Sequence, residues 1–291
     1  MSPALSSIPS AVTPAQAILL FDLDGVIRDV NASYRRAIRA TVQHFTGWCP
    51  DPAAIDDLKG EGCWNNDWEA SLELMRRHRL AGVEGGATSS GLALPTLSEV
   101  VAVFSRFYFG GDPEGPPSRW TGFIREETLL VAPDFFAALT QAGMAWGFVS
   151  GAEQPSARFL LEERLGLSDP PLVAMGDAPD KPDPTGFIRL ADRLANERGQ
   201  SLGPQGPPVA YLGDTVADVE TVCRARICLP DQCFLALAVA PPHLHAPEQL
   251  SRRRNYEKRL LAAGADYLLA STLQLQNGAV DLIRSIQLPL H

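Results

Sequence analysis

Four short apolar runs, each ending in polar residues, constrain the fold of this chain most strongly. The runs and the polar residues after them are Ile18–Phe21 before Asp22-Leu23-Asp24-Gly25, Met144–Val149 before Ser150-Gly151, Leu172–Ala174 before Lys181-Pro182, and Val209–Leu212 before Gly213-Asp214. Continuous apolar runs are typical of parallel strands that are covered on both faces. Segments with helical periodicity separate them, which predicts βαβ units and an α/β fold with a doubly wound, Rossmann-like parallel sheet.

The distribution of helical and strand patterns also predicts how the chain is divided. Residues 31–126 are mostly helical in pattern, show no clear strand and contain a Gly/Ser-rich connector at 82–95. The first sixteen residues are rich in Ser, Pro and Ala. We therefore expect a disordered tail at 1–16, an α/β core domain built from 17–30 and 127–291, and a helical domain at 31–126 inserted into it.

The sequence after Asp214 is less regular. Its apolar runs predict short strands at Ile227–Leu229, Ala236–Val239 and Tyr267–Leu269, with helices at 247–263 and 272–285. Residues 230–265 have the pattern of an insertion after the last strand-end motif. Within it, Arg252–Arg254 predict a solvated helix face rather than a nucleic-acid site, and His243 and His245 lack the clustered partners of a metal site.

Charge and cysteine usage exclude several classes of function. The net charge of -9 argues against nucleic acid or an anionic membrane as a partner, because both are bound through Lys and Arg. The five cysteines are odd in number and form no CxxC pair, which predicts reduced thiols rather than disulfides or zinc. No apolar run approaches the roughly 18 residues of a membrane span. We expect a cytoplasmic protein that is a monomer or a homodimer.

The strand-end residues are suited to phosphate chemistry. In a parallel sheet the ends of all strands of one sense lie along one edge, so Asp22, Asp24, Ser150, Lys181 and Asp214 can converge. Several ionised carboxylates repel one another and need a compensating cation, which Mg²⁺ with oxygen ligands supplies. A lysine and a serine hydroxyl suit a phosphate group, and a carboxylate can act as a nucleophile toward phosphorus.

The order of these motifs resembles that of the haloacid dehalogenase superfamily. The matching residues are Asp22-Leu23-Asp24-Gly25, Ser150, Lys181 and the Gly213-Asp214…Asp218 group, and the match spans residues 18 to about 225. The helical insert between the first and second motifs resembles subfamily I members with an α-helical cap, such as phosphoglycolate phosphatases and β-phosphoglucomutases. The resemblance implies a Rossmann-like core, a cap over the active site and Mg²⁺ as cofactor.

The resemblance also implies a role for each motif residue. Asp22 would be the nucleophile and a metal ligand. Asp24 would protonate the leaving oxygen, then activate water, and would give its backbone carbonyl to the metal. Ser150, Gly151 and Lys181 would bind the transferring phosphoryl group. Asp214 would bind Mg²⁺ directly, and Asp218 would do so through water or would orient Lys181.

The resemblance also implies that Asp24 favours phosphate esters as substrates. Dehalogenases need no acid to protonate a leaving group, and they resemble the members of the superfamily that lack this second aspartate. We therefore expect a Mg²⁺-dependent phosphatase that hydrolyses a small phosphorylated metabolite through an aspartyl-phosphate. The alternatives are a sugar-phosphate mutase of the β-phosphoglucomutase type, which would return the phosphoryl group to a sugar, and a non-catalytic binding protein on the same fold.

Substrate contacts are expected from the inserted helices. Lys59-Gly60 resembles the Lys-Gly of the cap loop in β-phosphoglucomutases, so Lys59, Asn65 and Asn66 are candidates for reading the leaving group. Trp64 and Trp68 are spaced to share a helix face, which favours a role in the core of the inserted domain. Arg28 has two interpretations, a contact to the phosphate or a pair with a surface acid.

Overall fold

The computed structural model describes residues 13–61, 63–64, 66–84 and 93–287. Most of the predicted tail, the centre of the 82–95 connector and Asn65 therefore lie outside the described residues. No helix within the described ranges is long and apolar enough to cross a bilayer.

A six-stranded parallel sheet forms the centre of the molecule, as the apolar runs predict. Its strands are β1 (Ala17–Phe21), β4 (Met144–Val149), β5 (Leu172–Val173), β6 (Val209–Gly213), β7 (Phe234–Val239) and β8 (Tyr267–Leu269). They lie in the order β5-β4-β1-β6-β7-β8, so β1 is hydrogen-bonded to β4 on one side and to β6 on the other. The strands that end in the first, second and fourth motifs are thus adjacent.

Helices cover both faces of this sheet, which is why its strands are continuously apolar. They are α5 (Asp134–Gln141), α6 (Gln154–Arg158, continued by a π-helical turn at Phe159–Arg164), α7 (Thr185–Glu197), α8 (Val216–Cys228), α9 (Leu250–Ala263) and α10 (Leu275–Gln287). Leu19 and Phe21 of β1 pack with residues of α5, α6 and α10, whereas Ile18 and Leu20 pack with residues of α7, α8 and α9. This alternation confirms the doubly wound α/β prediction.

The inserted part of the chain has its own apolar core. Its helices are α1 (Tyr34–Thr46), α2 (Pro52–Lys59), α3 (Asp67–Glu84) and α4 (Leu97–Tyr108), and we call residues 34–126 the helical segment. Tyr34, Ile38, Phe104, Tyr108 and Trp120 are buried together in this core. A small antiparallel ribbon, β2 (Arg28–Asp29) with β3 (Thr128–Leu129), joins the two ends of the segment and is too short to leave a sequence pattern.

Two predictions about the last third of the chain are wrong. Ile227–Leu229 is not a strand, because α8 starts at a capping box formed by Thr215 and Asp218 and extends to Cys228, with Ile227 exposed. Residues 230–265 are not simply an insertion, because β7 is hydrogen-bonded between β6 and β8 inside the sheet. Only the crossover from β7 to β8, which contains α9, lies outside the sheet.

Candidate active site

The carboxyl ends of β1, β4 and β6 open into one pocket between the sheet and the helical segment. Seven of the predicted site residues line it: Asp22, Asp24, Lys59, Ser150, Gly151, Lys181 and Asp214. Gly25 allows the tight turn after the first motif. Its φ is +75°, and a Cβ atom there would lie 2.1 Å from Oδ2 of Asp214, so a larger residue would displace that carboxylate.

The first set of charges at this edge is Asp22–Lys181–Asp218. Nζ of Lys181 lies 3.1 Å from Oδ1 of Asp22 and 2.5 Å from Oδ1 of Asp218, and all three side chains are buried. The lysine is therefore shared between an acid that faces the pocket and an acid beneath it. Three ionisable groups in so little water are stable only as a mutually compensating group.

Asp218 is held more firmly than the other acids. Its Oδ1 also accepts a hydrogen bond from the Tyr211 hydroxyl at 3.0 Å, and its Oδ2 accepts from the backbone N–H and the hydroxyl of Thr215 at 2.9 and 2.6 Å. Both oxygens are thus engaged by the protein. This arrangement fits the second of the two predicted roles for Asp218, that of orienting Lys181.

Burial affects the three acids in different ways. It raises the pKa of Asp22 to about 7, with Asp218 and Asp24 adding to the shift and Lys181 opposing it. The pKa of Asp214 is also raised well above its usual value, by burial first and then by Asp218 and Asp22. Burial would raise the pKa of Asp218 as well, but Lys181 and Thr215 outweigh it and lower the value.

The site has the oxygen donors that a divalent cation requires. One carboxylate oxygen from each of Asp22, Asp214 and Asp218 lies within 4.8 Å of the others. Oδ1 of Asp22 is buried and accepts no hydrogen bond from a described residue. Hard oxygen ligands and an unsatisfied buried carboxylate oxygen fit Mg²⁺, whose charge would also compensate the crowded acids.

A second set of charges, Asp24–Arg28–Glu127, lies where the helical segment joins the sheet. Nε of Arg28 donates to Oδ1 of Asp24 at 2.6 Å, and Nη1 donates to Oε2 of Glu127 at 3.0 Å. Arg28 and Glu127 are both buried, so the partners of Arg28 are a pocket acid and a buried acid rather than a surface acid or the phosphate position. Antiparallel pairing of β2 with β3 brings Glu127 to Arg28.

Tyrosine residues of the helical segment complete the second set. The Tyr108 hydroxyl donates to Oε1 of Glu127 at 2.9 Å and lies 2.7 Å from Oγ of Ser156 in α6. Tyr34 stacks on Tyr108, with 4.0 Å between the ring centroids, and also donates to Ser156. The buried network therefore joins the helical segment, Asp24 and the sheet domain.

The substrate candidates of the helical segment have different positions. Lys59 lines the pocket and forms an ion pair with Asp67, which also lines it. Asn66 caps α3, since its side chain accepts from the backbone N–H groups of Trp68 and Glu69 at 3.0 and 3.2 Å. Asn65 lies outside the described residues.

The two tryptophans behave differently from each other. Trp64 packs against the apolar core of the helical segment and donates to Glu61, as a core role predicts. Trp68 packs against the same core, but it also lines the pocket.

Sequence reasoning missed several residues around the pocket. Asp56 of α2 forms ion pairs with Arg35 of α1 and with Arg252 of the β7–β8 crossover at 2.6 Å, and it is hydrogen-bonded to His243 of the crossover at 2.9 Å. Arg252 is therefore part of a contact between the crossover and the helical segment rather than of a purely solvated face. Glu153 also lines the pocket; its only sequence signal is its position three residues after Ser150.

Comparisons with known proteins agree with this geometry. A family model described as haloacid dehalogenase-like hydrolase matches residues 17–225. An imidazoleglycerol-phosphate dehydratase from Phytophthora nicotianae is 33% identical over 213 residues, which are 71% of this chain and 41% of that protein. The chain thus spans about two fifths of the length of that relative.

Two solved structures share the fold. One is a phosphonoacetaldehyde hydrolase-like protein from Oleispira antarctica, with a TM-score of 0.64, 18% identity and coverage of 98% of both chains. The other is a phosphatase from Thermococcus thioreducens, with a TM-score of 0.53, 23% identity and coverage of 75% of this chain and 92% of that one.

Proposed function

Because the chain belongs to the haloacid dehalogenase-like hydrolase family, we propose that it is a Mg²⁺-dependent phosphatase acting on a small phosphorylated metabolite through an aspartyl-phosphate. The observation that carries the proposal is the position of the Asp22 carboxylate and its contacts. Its carboxylate lies at the end of β1 and lines the pocket, and its buried Oδ1, which is 3.1 Å from Nζ of Lys181, accepts no hydrogen bond from a described residue. Such an oxygen is available to attack phosphorus.

In the first step, an oxygen of Asp22 forms a bond to phosphorus while the bond from phosphorus to the alcohol oxygen breaks. The departing oxygen takes a proton from Asp24, whose side chain also lines the pocket and is 28% exposed. Lys181 and Ser150 stabilise charge on the transferring phosphoryl group. Phosphoryl transfer depends mainly on such positioning and charge stabilisation.

In the second step, Asp24 takes a proton from a water molecule as that water attacks the phosphorus of the aspartyl-phosphate. The bond from phosphorus to Asp22 breaks, so inorganic phosphate leaves and both carboxylates return to their starting states. The same residue thus acts first as acid and then as base. Arg28, which holds Asp24 from the side away from the pocket, keeps this carboxylate in place between the steps.

Asp22 and Asp214 would hold Mg²⁺, with the backbone carbonyl of Asp24 as the family resemblance implies. The ion would neutralise charge on the phosphoryl oxygens and on the crowded carboxylates. Asp218, beneath the ion, would keep its contacts to the protein, since its two oxygens already bind Lys181, Tyr211 and Thr215.

The helical segment would act as a cap that sets substrate specificity. Lys59, Asp67 and Trp68 face the pocket from this segment, opposite Ser150 and Asp22. The hydrogen bond of Asp56 with His243 and its ion pair with Arg252 connect the segment to the β7–β8 crossover. The cap would therefore be held in place by part of the chain that follows the last catalytic motif.

A phosphatase fits the pocket better than a mutase. A sugar-phosphate mutase must bind a second phosphate on the far side of its substrate, which needs uncompensated cations there. Among the described residues of the helical segment, the two cations that line the pocket are Arg35 and Lys59, and each forms an ion pair with an acid. Measuring phosphate release beside isomer conversion distinguishes the two activities, since a mutase converts sugar phosphates with little release of phosphate.

The Phytophthora relative suggests one compound for a substrate screen. Its name states an action on imidazoleglycerol phosphate, a small phosphate monoester, although this chain spans only part of that protein. We therefore include imidazole-bearing phosphate esters with sugar and polyol phosphates in the screen. Dehydration is not part of the proposal, because the residues at the strand ends are those of phosphoryl transfer.

The test is the release of inorganic phosphate from p-nitrophenyl phosphate and from the screen, with Mg²⁺ and with a chelator. We expect turnover that requires Mg²⁺ and falls at least about a thousandfold in Asp22→Asn. Asp134→Asn, a change of an exposed acid at the start of α5, is the matched control and should keep full activity. Equal turnover by Asp22→Asn and wild type contradicts the aspartyl-phosphate route, whereas no turnover of any ester contradicts the phosphatase proposal and favours a binding protein.

A further inference from the structure

Glu153 is a pocket residue to which the proposed reaction gives no role. It follows the Ser150-Gly151 turn and precedes α6, so it lies beside the position of the transferring phosphoryl group. Its Oε2 atom is buried and has no hydrogen-bond partner among the described residues. A buried acceptor without a partner destabilises the folded protein, so such a group calls for an explanation.

The charges around Glu153 add to the significance of its missing hydrogen-bond partner. Burial raises the pKa of Glu153 to about 7, and Glu114 and Asp67 add to the shift, whereas only Arg28 opposes it. Glu114 and Asp67, two acids of the helical segment, therefore act on the Glu153 carboxylate more strongly than any cation does. The Glu153 carboxylate is held against an acidic surface of the helical segment, and no ion pair joins it to a residue that the structure describes.

The other charges on the cap side of the pocket are already compensated. Lys59 is paired with Asp67, and Arg35 is paired with Asp56. Within the described lining, Glu153 is therefore an acid in excess of these two pairs. A ligand group that approaches it meets an acceptor and negative potential.

We propose that Glu153 accepts a hydrogen bond from a hydroxyl or amino group on the alcohol part of the substrate. The enzyme would then hydrolyse phosphate esters of polyols or amino alcohols and reject esters whose alcohol part carries a carboxylate or a second phosphate. This inference rests on the proposed phosphatase function. It assigns Glu153 as a specificity-determining residue, separate from the groups that act on phosphorus.

The walls next to Glu153 fit such a leaving group. Tyr34, Trp68 and Met175 line the same pocket and supply apolar surface for a short carbon chain. A pocket with apolar walls and a few polar groups fixes orientation through those groups. An additional anionic group would lose its water beside Glu153, Asp67 and Glu114 without gaining a cation, which opposes binding.

The experiment compares kcat/KM for three esters, each relative to p-nitrophenyl phosphate, whose alcohol part has no hydroxyl or amino donor. The esters are 2-aminoethyl phosphate, glycerol 3-phosphate and 2-phosphoglycolate, which carry an amine, hydroxyls and a carboxylate. The proteins are wild type, Glu153→Gln, Glu153→Met and the control Glu163→Gln, which removes an exposed acid that does not line the pocket. Gln removes the charge and keeps an acceptor, whereas Met removes both.

We expect wild type to prefer the amine or hydroxyl ester over 2-phosphoglycolate by about tenfold or more. Glu153→Met should reduce this preference by a similar factor, and Glu163→Gln should leave it unchanged. If the donor is an amine, Glu153→Gln should also lose the preference. If it is a hydroxyl, Glu153→Gln should keep most of it.

Two results would overturn the inference. Equal ratios in wild type and Glu153→Met, or a preference of wild type for 2-phosphoglycolate, contradict a role of Glu153 in specificity while leaving the phosphatase proposal intact. Absence of turnover even with p-nitrophenyl phosphate overturns both. The reference substrate therefore distinguishes a wrong substrate class from a wrong reaction.

Discussion

The two aspartates of the first motif each face a buried cation, but the two sets of charges differ in how they are built. Lys181 lies in the pocket between Asp22 and Asp218, and all of its partners belong to the sheet domain. Arg28 lies behind Asp24, is fully buried and is anchored by Glu127 at the other end of the helical segment. We therefore expect the first cation to act on substrate and the second to position a carboxylate.

This difference explains why two acids separated by one residue can have different tasks. Asp22 is buried, with an oxygen that has no hydrogen bond, whereas Asp24 is partly exposed and tethered by Arg28. A buried, unsatisfied carboxylate suits attack on phosphorus. A carboxylate held from behind, with access to the pocket, suits repeated proton transfer.

The largest effect should come from breaking the first set with Lys181→Met. The change leaves Asp22 and Asp218 buried without their shared cation, so we expect about a thousandfold loss of phosphatase rate. The free energy of unfolding should fall by about 3–5 kcal/mol, as for a broken buried ion pair. Rate assays and denaturant unfolding measure both, and Lys258→Met, at an exposed lysine, is the control. Wild-type activity in Lys181→Met would contradict a role for this cation.

Breaking the second set with Arg28→Met should affect stability more than rate. Glu127 would stay buried without its cation, which should cost about 3 kcal/mol, whereas the rate should fall only about tenfold because Arg28 acts through Asp24. Adding Glu127→Gln should recover part of the stability, since the double variant has no unpaired buried acid. If the two changes were simply additive in unfolding experiments, the coupling that defines this set would be absent.

The acids of the two sets should also differ in how their protonation affects the affinity for Mg²⁺. Protons compete with Mg²⁺ for Asp22, whose pKa is raised to about 7, and for Asp214, whose pKa is also raised. The affinity for Mg²⁺ should therefore fall by about tenfold or more for each pH unit below 7. Glu127 is also a buried acid with a raised pKa, but Arg28 and not a metal faces it, so Glu127→Gln should keep this pH dependence. Calorimetric titration at pH 6 and 8 tests this, and equal affinities at the two values would contradict it.

The smallest effects should come from one tyrosine hydroxyl in each set. Tyr211→Phe removes a contact to Lys181 and Asp218, and Tyr108→Phe removes a contact to Glu127. Each should lower the free energy of unfolding by about 1 kcal/mol. Tyr211→Phe should reduce the phosphatase rate more, because only Tyr211 contacts the cation that faces substrate. The reverse order of rates would mean that the assignment of the two cations is inverted.

Asp22 and Lys181 of the first set could be predicted from the sequence because each follows an apolar run. Strands that are buried on both faces have a strong pattern, and their parallel arrangement brings Asp22, Ser150 and Asp214 to one edge. Two roles were predicted for Asp218, binding of Mg²⁺ through water and orientation of Lys181. The structure favours the second, because the Thr215 capping box directs the second oxygen of Asp218 away from the pocket.

The second set could not be predicted in the same way. Glu127 is 99 positions from Arg28, and the ribbon that joins them has two residues in each strand, too few for a period to be recognised. The contacts of Asp56 with His243 and Arg252 were also unpredictable, since they depend on how the crossover packs on the helical segment. Contacts of this kind are determined by tertiary packing, so sequence patterns of one element do not reveal them.

The most direct test of the unequal roles of Asp22 and Asp24 is to trap the covalent intermediate in Asp24→Asn. p-Nitrophenolate leaves without needing a proton, so the first step should proceed in this variant while the attack of water stalls. After rapid acid quenching with Mg²⁺ present, mass spectrometry should find one added phosphoryl group on the peptide containing Asp22. The label should be absent when Asp22→Asn is combined with Asp24→Asn. A phosphoryl group on another residue, or an unlabelled Asp24→Asn enzyme that still turns over, would contradict the account.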